Sequence, residues 1–140
     1  MIIQKLDDYY IVKVFKEKLG DFDAFDKSCI EQLFQGILKK LLKRYSIHGL
    51  IEADVYFDRL YGMIIELREV YDYFEEIDLR IHFHLDSVFL VEIEENDIDI
   101  LKDIYYYRGK YYRTYDKMRD SPIIYKDSEC IEIMEKGIHL

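Results

Sequence analysis

The pattern His-x-His at His82 and His84 is the part of this sequence best suited to binding a metal ion. Two histidines spaced two apart project from one face of a β-strand, so both imidazoles can reach the same Zn, Fe or Ni ion. A three-residue loop at Asp86 to Val88 would set Glu92 opposite His82 and supply a third ligand. The same spacing fits ordinary histidines that pair with Glu92, which is the interpretation we favour.

The segment from Ile104 to Tyr115 offers a second kind of chemistry, because it gathers six of the fourteen tyrosines around an Arg-Gly pair. From Ile104 to Arg119 the chain has five basic residues and one acidic residue, a formal +4 in a protein of net charge −9. Tyrosine and arginine are enriched at protein interfaces, tyrosine also stacks on unpaired bases, and it is equally a favoured strand residue that can simply cover a core. We predict a protein interface formed by Tyr105, Tyr106, Tyr107, Arg108, Lys110, Tyr111, Tyr112, Arg113 and Tyr115.

Other familiar catalytic patterns are missing from the sequence. The acidic run from Glu92 to Asp99 lacks the glycine and the terminal glutamate of a calcium loop. There is no Gly-x-Ser-x-Gly turn and no glycine-rich phosphate loop, so we expect no catalytic nucleophile of those classes and no cofactor. Cys29 and Cys130 show no CxxC pairing and are interpreted as small buried hydrophobic residues in a reducing compartment.

Length and composition favour one globular domain covering residues 1–140. The N-terminus lacks the basic start and apolar run of a secretory signal, and no apolar run approaches the ~20 residues of a membrane span. We therefore expect a cytoplasmic protein that does not insert into a membrane. The net charge of −9 argues against binding nucleic acid or anionic lipid and favours a basic partner.

The segment from Asp26 to Tyr45 is the clearest predicted helix, with Asp26 as N-cap or with Ser28 and Glu31 as a capping box. Its apolar residues form one stripe: Ile30, Leu33, Phe34, Ile37, Leu38, Leu41, Leu42 and Tyr45. Four basic residues crowd the last turns, where positive charge complements the helix dipole. We favour that interpretation over a phosphate-binding patch for Lys39, Lys40, Lys43 and Arg44.

The remaining segments predict consecutive β-hairpins. The predicted strand pairs are Ile2–Lys5 with Tyr9–Lys16, Leu50–Phe57 with Tyr61–Glu69, Ile77–Leu85 with Val88–Glu94, and Ile104–Tyr107 with Lys110–Tyr115. We also predict a short helix at Asn96–Asp103 and an edge strand at Ile123–Tyr125, whereas Cys130–Lys136 fits either strand or helix. The expected fold is α+β, with one long amphipathic helix packed on a mainly antiparallel sheet of consecutive hairpins.

Two functional hypotheses follow from these patterns. The first is a non-enzymatic, cytoplasmic interaction or regulatory module that binds a protein partner or itself through the tyrosine hairpin, in the manner of small acidic immunity or regulator proteins. The second is a small metal-dependent enzyme that uses His82, His84 and Glu92. We favour the first, because spacing alone does not make ligands converge on an ion.

Overall fold

The computed structural model describes residues 2–7, 9–19, 27–45, 50–70, 78–98, 103–116 and 122–140. Within these ranges the chain forms two α-helices, α1 (Lys27–Tyr45) and α2 (Asp127–Lys136), and two short 3₁₀ turns (Lys16–Lys18 and Glu95–Asp97). Ten strands accompany them: β1 (Ile2–Lys5), β2 (Tyr9–Phe15), β3 (Leu50–Asp58), β4 (Gly62–Val70), β5 (Asp78–His84), β6 (Leu90–Ile93), β7 (Ile104–Tyr107), β8 (Lys110–Thr114), β9 (Ile123–Ile124) and β10 (Ile138–His139).

The first sheet has the strand order β1-β2-β4-β3-β5. The β1–β2 and β3–β4 pairs are antiparallel hairpins, which confirms both predictions. Strand β5 lies parallel to β3 at one edge. Alternate residues of β3, such as Val55, pack against the apolar stripe of α1, which includes Phe34 and Leu41.

The second sheet is antiparallel throughout, with the order β10-β7-β8-β6-β9. Its β7–β8 pair is the predicted tyrosine hairpin, and the two turn residues have positive φ, 47° at Arg108 and 80° at Gly109. Positive φ at both turn positions is typical of the two-residue turn whose twist matches that of its strands. The predicted edge strand at Ile123 is confirmed as β9.

Three apolar cores join four layers in the order α1, first sheet, second sheet, α2. The first core lies between α1 and the first sheet, and the third lies between the second sheet and α2. The middle core packs the two sheets face to face, and Tyr61, Ile64, Phe89 and Val91 are fully buried there. The first sheet is therefore apolar on both faces where the second sheet covers it.

The predicted fold class is confirmed as α+β and mostly antiparallel, but the prediction of one sheet under one helix is wrong. The hairpin between Ile77–Leu85 and Val88–Glu94 does not form, because β5 pairs with β3 whereas β6 pairs with β8 and β9 of the other sheet. The alternation along β5 shows which residues face α1 but not which strand lies alongside. After His84 the chain crosses between sheets, and Phe89 enters the middle core.

Other predictions have mixed outcomes. The ambiguous segment Cys130–Lys136 is helical, and the predicted helix at Asn96–Asp103 is only a 3₁₀ turn where the structure describes it. Asp26 lies outside the described residues, and Ser28 lies inside α1 rather than at its cap. Neither helix in the described part of the chain is long and apolar enough to cross a membrane.

Candidate functional site

The three residues predicted as metal ligands do not come together. His82 and His84 share one face of β5, where their register partners on β3 are Asp54 and Tyr56. Glu92 lies in the second sheet opposite Tyr112, and its Oε1 is 3.6 Å from Lys110 Nζ. Among the described side chains, no group of three or more His, Cys, Asp or Glu is placed to hold a metal ion.

His84 is instead the centre of a charged cluster that the sequence did not predict. Its Nε2 lies 3.2 Å from Asp54 Oδ1, and its Nδ1 lies 3.0 Å from Asp127 Oδ2. The imidazole stacks on Tyr56, with ring centroids 4.4 Å apart and planes 10° from parallel. Ser87 Oγ donates to Asp127 Oδ1 at 2.7 Å. The cluster therefore ties β3 and β5 of the first sheet to the first turn of α2.

The geometry of this cluster limits the chemistry that it can perform. Each ring nitrogen of His84 lies within hydrogen-bond distance of a carboxylate oxygen, one from Asp54 and one from Asp127. A general base needs one ring nitrogen directed at the substrate while a carboxylate orients the other. Because Asp54 and Asp127 occupy both positions, His84 links the layers and leaves neither ring nitrogen directed at open space.

A buried carboxylate lies beside this cluster on the same face of the first sheet. Glu66 is only 2% exposed, and its Oε1 is 3.4 Å from Arg68 Nη2 and 3.8 Å from Lys126 Nζ. Burial, with the nearby Asp54 carboxylate, raises the pKa of Tyr56 to about 12, and burial also raises the pKa of Tyr125. Both phenols stay protonated at neutral pH, and their rings pack against each other as apolar walls.

The tyrosine hairpin is used largely for packing. Tyr112 and Tyr115 are buried, and Tyr105 and Tyr107 pack against the core beneath α2. Tyr111 packs against the core between the sheets. Most of the rings predicted to form an interface therefore already have partners within the chain.

The charged residues of the hairpin divide in the same way. Arg113 is buried and donates from Nη2 to Asp116 Oδ1 at 2.9 Å. Arg108 is exposed at the turn, with its guanidinium 5.1 Å from the centre of the Tyr107 ring, and Lys110 is exposed beside it. The exposed residues of the hairpin are therefore Tyr106 and the tip, whereas Tyr105, Tyr107 and Tyr111 are half-buried.

Strand β10 extends this exposed surface, and the sequence did not reveal it. Ile138 pairs with Tyr106, and the amide of Leu140 donates to the carbonyl of Ile104 at 2.9 Å. Ile138 is 62% exposed, Leu140 is 61% exposed and Tyr106 is 36% exposed. Residues directly opposite or two apart on paired strands share a face, so these three side chains form one apolar strip at the sheet edge.

Comparison with known proteins finds no relative. No family model, no curated protein and no solved structure matches this chain. The function is therefore inferred from the arrangement of its side chains.

Proposed function

We propose that this protein is a non-enzymatic interaction module that binds a protein partner through the hairpin edge, a surface formed by Tyr106, Arg108, Lys110, Ile138 and Leu140. The observation that carries the proposal is the exposure of Tyr106, Ile138 and Leu140 along one edge of the second sheet. Large apolar side chains left together at a sheet edge mark contact sites or aggregation hazards. Of the interface residues predicted from sequence, the proposal keeps those at the hairpin tip.

The backbone of β10 suggests how such a partner would bind. β10 is the last strand in its sheet among the described residues, so its outer side presents backbone groups to an incoming strand. In strand addition, main-chain hydrogen bonds supply affinity and alternate side chains supply specificity. Ile138 and Leu140 would contact every second side chain of the added segment, and the Arg108 guanidinium would favour an acidic residue at its end.

The His84 cluster supports a binding role over an enzymatic one. His84 is the side chain best placed for acid–base chemistry among the described residues, yet carboxylates occupy both of its nitrogens. We propose a cytoplasmic location on the basis of composition, since a regulator of this kind would meet its partner there.

The test is a double variant, Tyr106→Ser with Ile138→Ser, compared with Leu60→Ser with Ile131→Ser. The control removes two similarly exposed apolar side chains, one at the β3–β4 turn and one on α2. Tagged wild type and both variants are expressed in the native host, and their co-purifying proteins are quantified. Size across concentrations is measured in parallel to detect self-association.

We expect a stoichiometric partner, or a concentration-dependent dimer, with the wild type and the control but not with the hairpin-edge variant. Circular dichroism and thermal midpoint should match among all three, because the substituted side chains are exposed. Equal binding by the two variants would contradict the proposal, and so would a loss of folded structure confined to the hairpin-edge variant.

A further inference from the structure

The outward face of α1 carries a run of positive charge near the C-terminal end of the helix. Lys39, Lys40, Lys43 and Arg44 are all exposed, and the sequence from Gln32 to Tyr45 contains no Asp or Glu. The ion pairs of the described chain include other lysines, such as Lys27 with Glu31, but none of these four. A dipole-matched helix end explains a preference for positive charge in the last turn, but it does not require four exposed cations.

Two tyrosines extend this surface onto the first sheet. The guanidinium of Arg44 lies 5.6 Å from the centre of the Tyr45 ring, and Lys5 Nζ lies 5.8 Å from the centre of the Tyr10 ring. The two rings contact each other with centroids 5.2 Å apart. Lys5 of β1 therefore joins the helix residues in one patch, the basic helix face, in which aromatic rings hold two of the five cations in place.

Gly36 is a second and independent observation on the same face. Gly36 lies one helical turn before Lys39 and Lys40, so it is on the same side of the helix as these two lysines. Among the described residues, a Cβ built on Gly36 would meet nothing within 4 Å, so packing against them does not require glycine there. Glycine weakens a helix interior, and its usual justification is the close approach of another backbone.

We propose that the basic helix face binds an acidic segment of a partner protein, whose backbone crosses α1 at Gly36 and whose carboxylates reach Lys39, Lys40, Lys43, Arg44 and Lys5. A twofold dimer whose axis passes through this face is disfavoured, because it would set these cations against themselves. Without these five cations the chain carries a formal charge of −14, compared with −9 for the whole chain. That negative charge repels a long polyanion such as nucleic acid but has little effect on a short local contact.

This surface lies on the α1 side of the molecule, away from the second-sheet edge, and does not depend on the proposed function of the hairpin edge. The Tyr106→Ser/Ile138→Ser variant should bind acidic probes as well as the wild type does. The two proposals can therefore fail separately.

The experiment measures binding of a fluorescent polyglutamate peptide at low salt by anisotropy. The test variants are Lys40→Glu with Lys43→Glu, and Gly36→Ala alone. The control is Lys16→Glu with Lys18→Glu, which makes the same change in net charge on the exposed 3₁₀ turn after β2. Single-stranded DNA and phosphatidylserine vesicles are the alternative probes.

We expect the wild type and the control to bind the peptide, and the helix charge reversal to weaken binding by about tenfold or more. Gly36→Ala should weaken binding severalfold while raising the thermal midpoint, which no loss of folding can mimic. The proposal is overturned by absence of peptide binding, by equal weakening in the control, by unchanged binding of Gly36→Ala, or by tighter binding of DNA or vesicles than of peptide.

Discussion

Cys130 shows how burial alone fixes the chemistry of one side chain. Its Sγ donates to the carbonyl of Ile124 at 3.2 Å, and burial raises the pKa of the thiol to about 12. The thiolate is the reactive form, so the native side chain is inert at neutral pH. Cys29, which the sequence analysis also placed among the buried residues, is only half-buried in α1.

We predict that iodoacetamide modifies Cys29 in the native protein and Cys130 only after unfolding. Because burial raises the pKa of the folded thiol, the folded protein keeps this proton at a pH where the unfolded chain, whose thiol has a pKa near 9.0, releases it. The stability contributed by the protonated Cys130 thiol is fully present below about pH 9 and is lost as the pH rises toward about 12. Urea unfolding across that window should therefore give a shallower pH slope in Cys130→Ala, and an unchanged slope would contradict the assignment.

Asp58 is the second residue whose role depends on burial. Its Oδ1 accepts from the amides of Leu60 and Tyr61 at 2.8 and 2.9 Å, and its Oδ2 accepts from the amide of Phe89 at 2.9 Å. One buried carboxylate thus shapes the β3–β4 turn and ties it to the start of β6.

We expect Asp58→Ala to lower the free energy of unfolding by about 2 to 5 kcal/mol, because it leaves buried amides without an acceptor. Asp58→Asn retains the Oδ1 acceptor and turns an NH₂ group toward Phe89, so it should cost less, about 1 to 3 kcal/mol. Chemical denaturation of both variants measures the difference. Equal costs would mean that the Oδ1 contacts to the amides of Leu60 and Tyr61 carry no stability.

Sequence patterns could not have located the hydrogen bonds of Asp58 or the contacts of His84 with Asp54 and Asp127. From the sequence alone, Asp58 is recognisable as a turn residue and His84 as one of four polar residues on one face of a strand. Their partners Phe89, Asp54 and Asp127 come from elements that meet only after the layers assemble. Periodicity reports the face on which a residue lies and carries no information about the opposing group.

At the scale of elements, the local signals were sufficient wherever a turn joined two neighbouring strands. The β1–β2, β3–β4 and β7–β8 hairpins and the body of α1 were all predictable. The helical signal of α2 was also present, since Cys130, Ile133 and Met134 lie at helical spacing and Gly137 follows. The two-residue strand β10 carries no pattern of its own, because its pairing with β7 defines it.

Two glycines provide a test of element geometry. Gly62 has φ 117°, and a Cβ there would lie 2.3 Å from the carbonyl oxygen of Val14, whereas Gly109 has φ 80° and open space around it. Gly109→Ala should cost about 1 to 2 kcal/mol from backbone strain alone. Gly62→Ala must also displace β2, so its cost should exceed about 4 kcal/mol. Thermal unfolding measures both, and similar costs would show that β2 can move away freely.

At the scale of the whole molecule, the missed feature is the second sheet, and a signal for it existed. Strands that alternate apolar and polar residues bury one face, whereas unbroken apolar runs indicate burial on both. Met63-Ile64-Ile65 in β4 and Phe89-Leu90-Val91 at β6 are such runs, and all six side chains are fully buried. A fold with a single sheet under one helix has no place for them.

The shared middle core predicts that the two sheets unfold together. Phe89 is 0% exposed, and its ring lies 5.2 Å from that of Tyr61, which belongs to the β3–β4 turn of the first sheet. Phe89→Ala should therefore cost about 3 to 5 kcal/mol. Hydrogen exchange should show equal loss of amide protection at Val12 in the first sheet and at Tyr112 in the second. The neighbouring exposed Val88, changed to Ala, should leave both unaffected. Loss of protection confined to Tyr112 would mean that each sheet is stabilised by its own helix, and that the contact between sheets adds little to either.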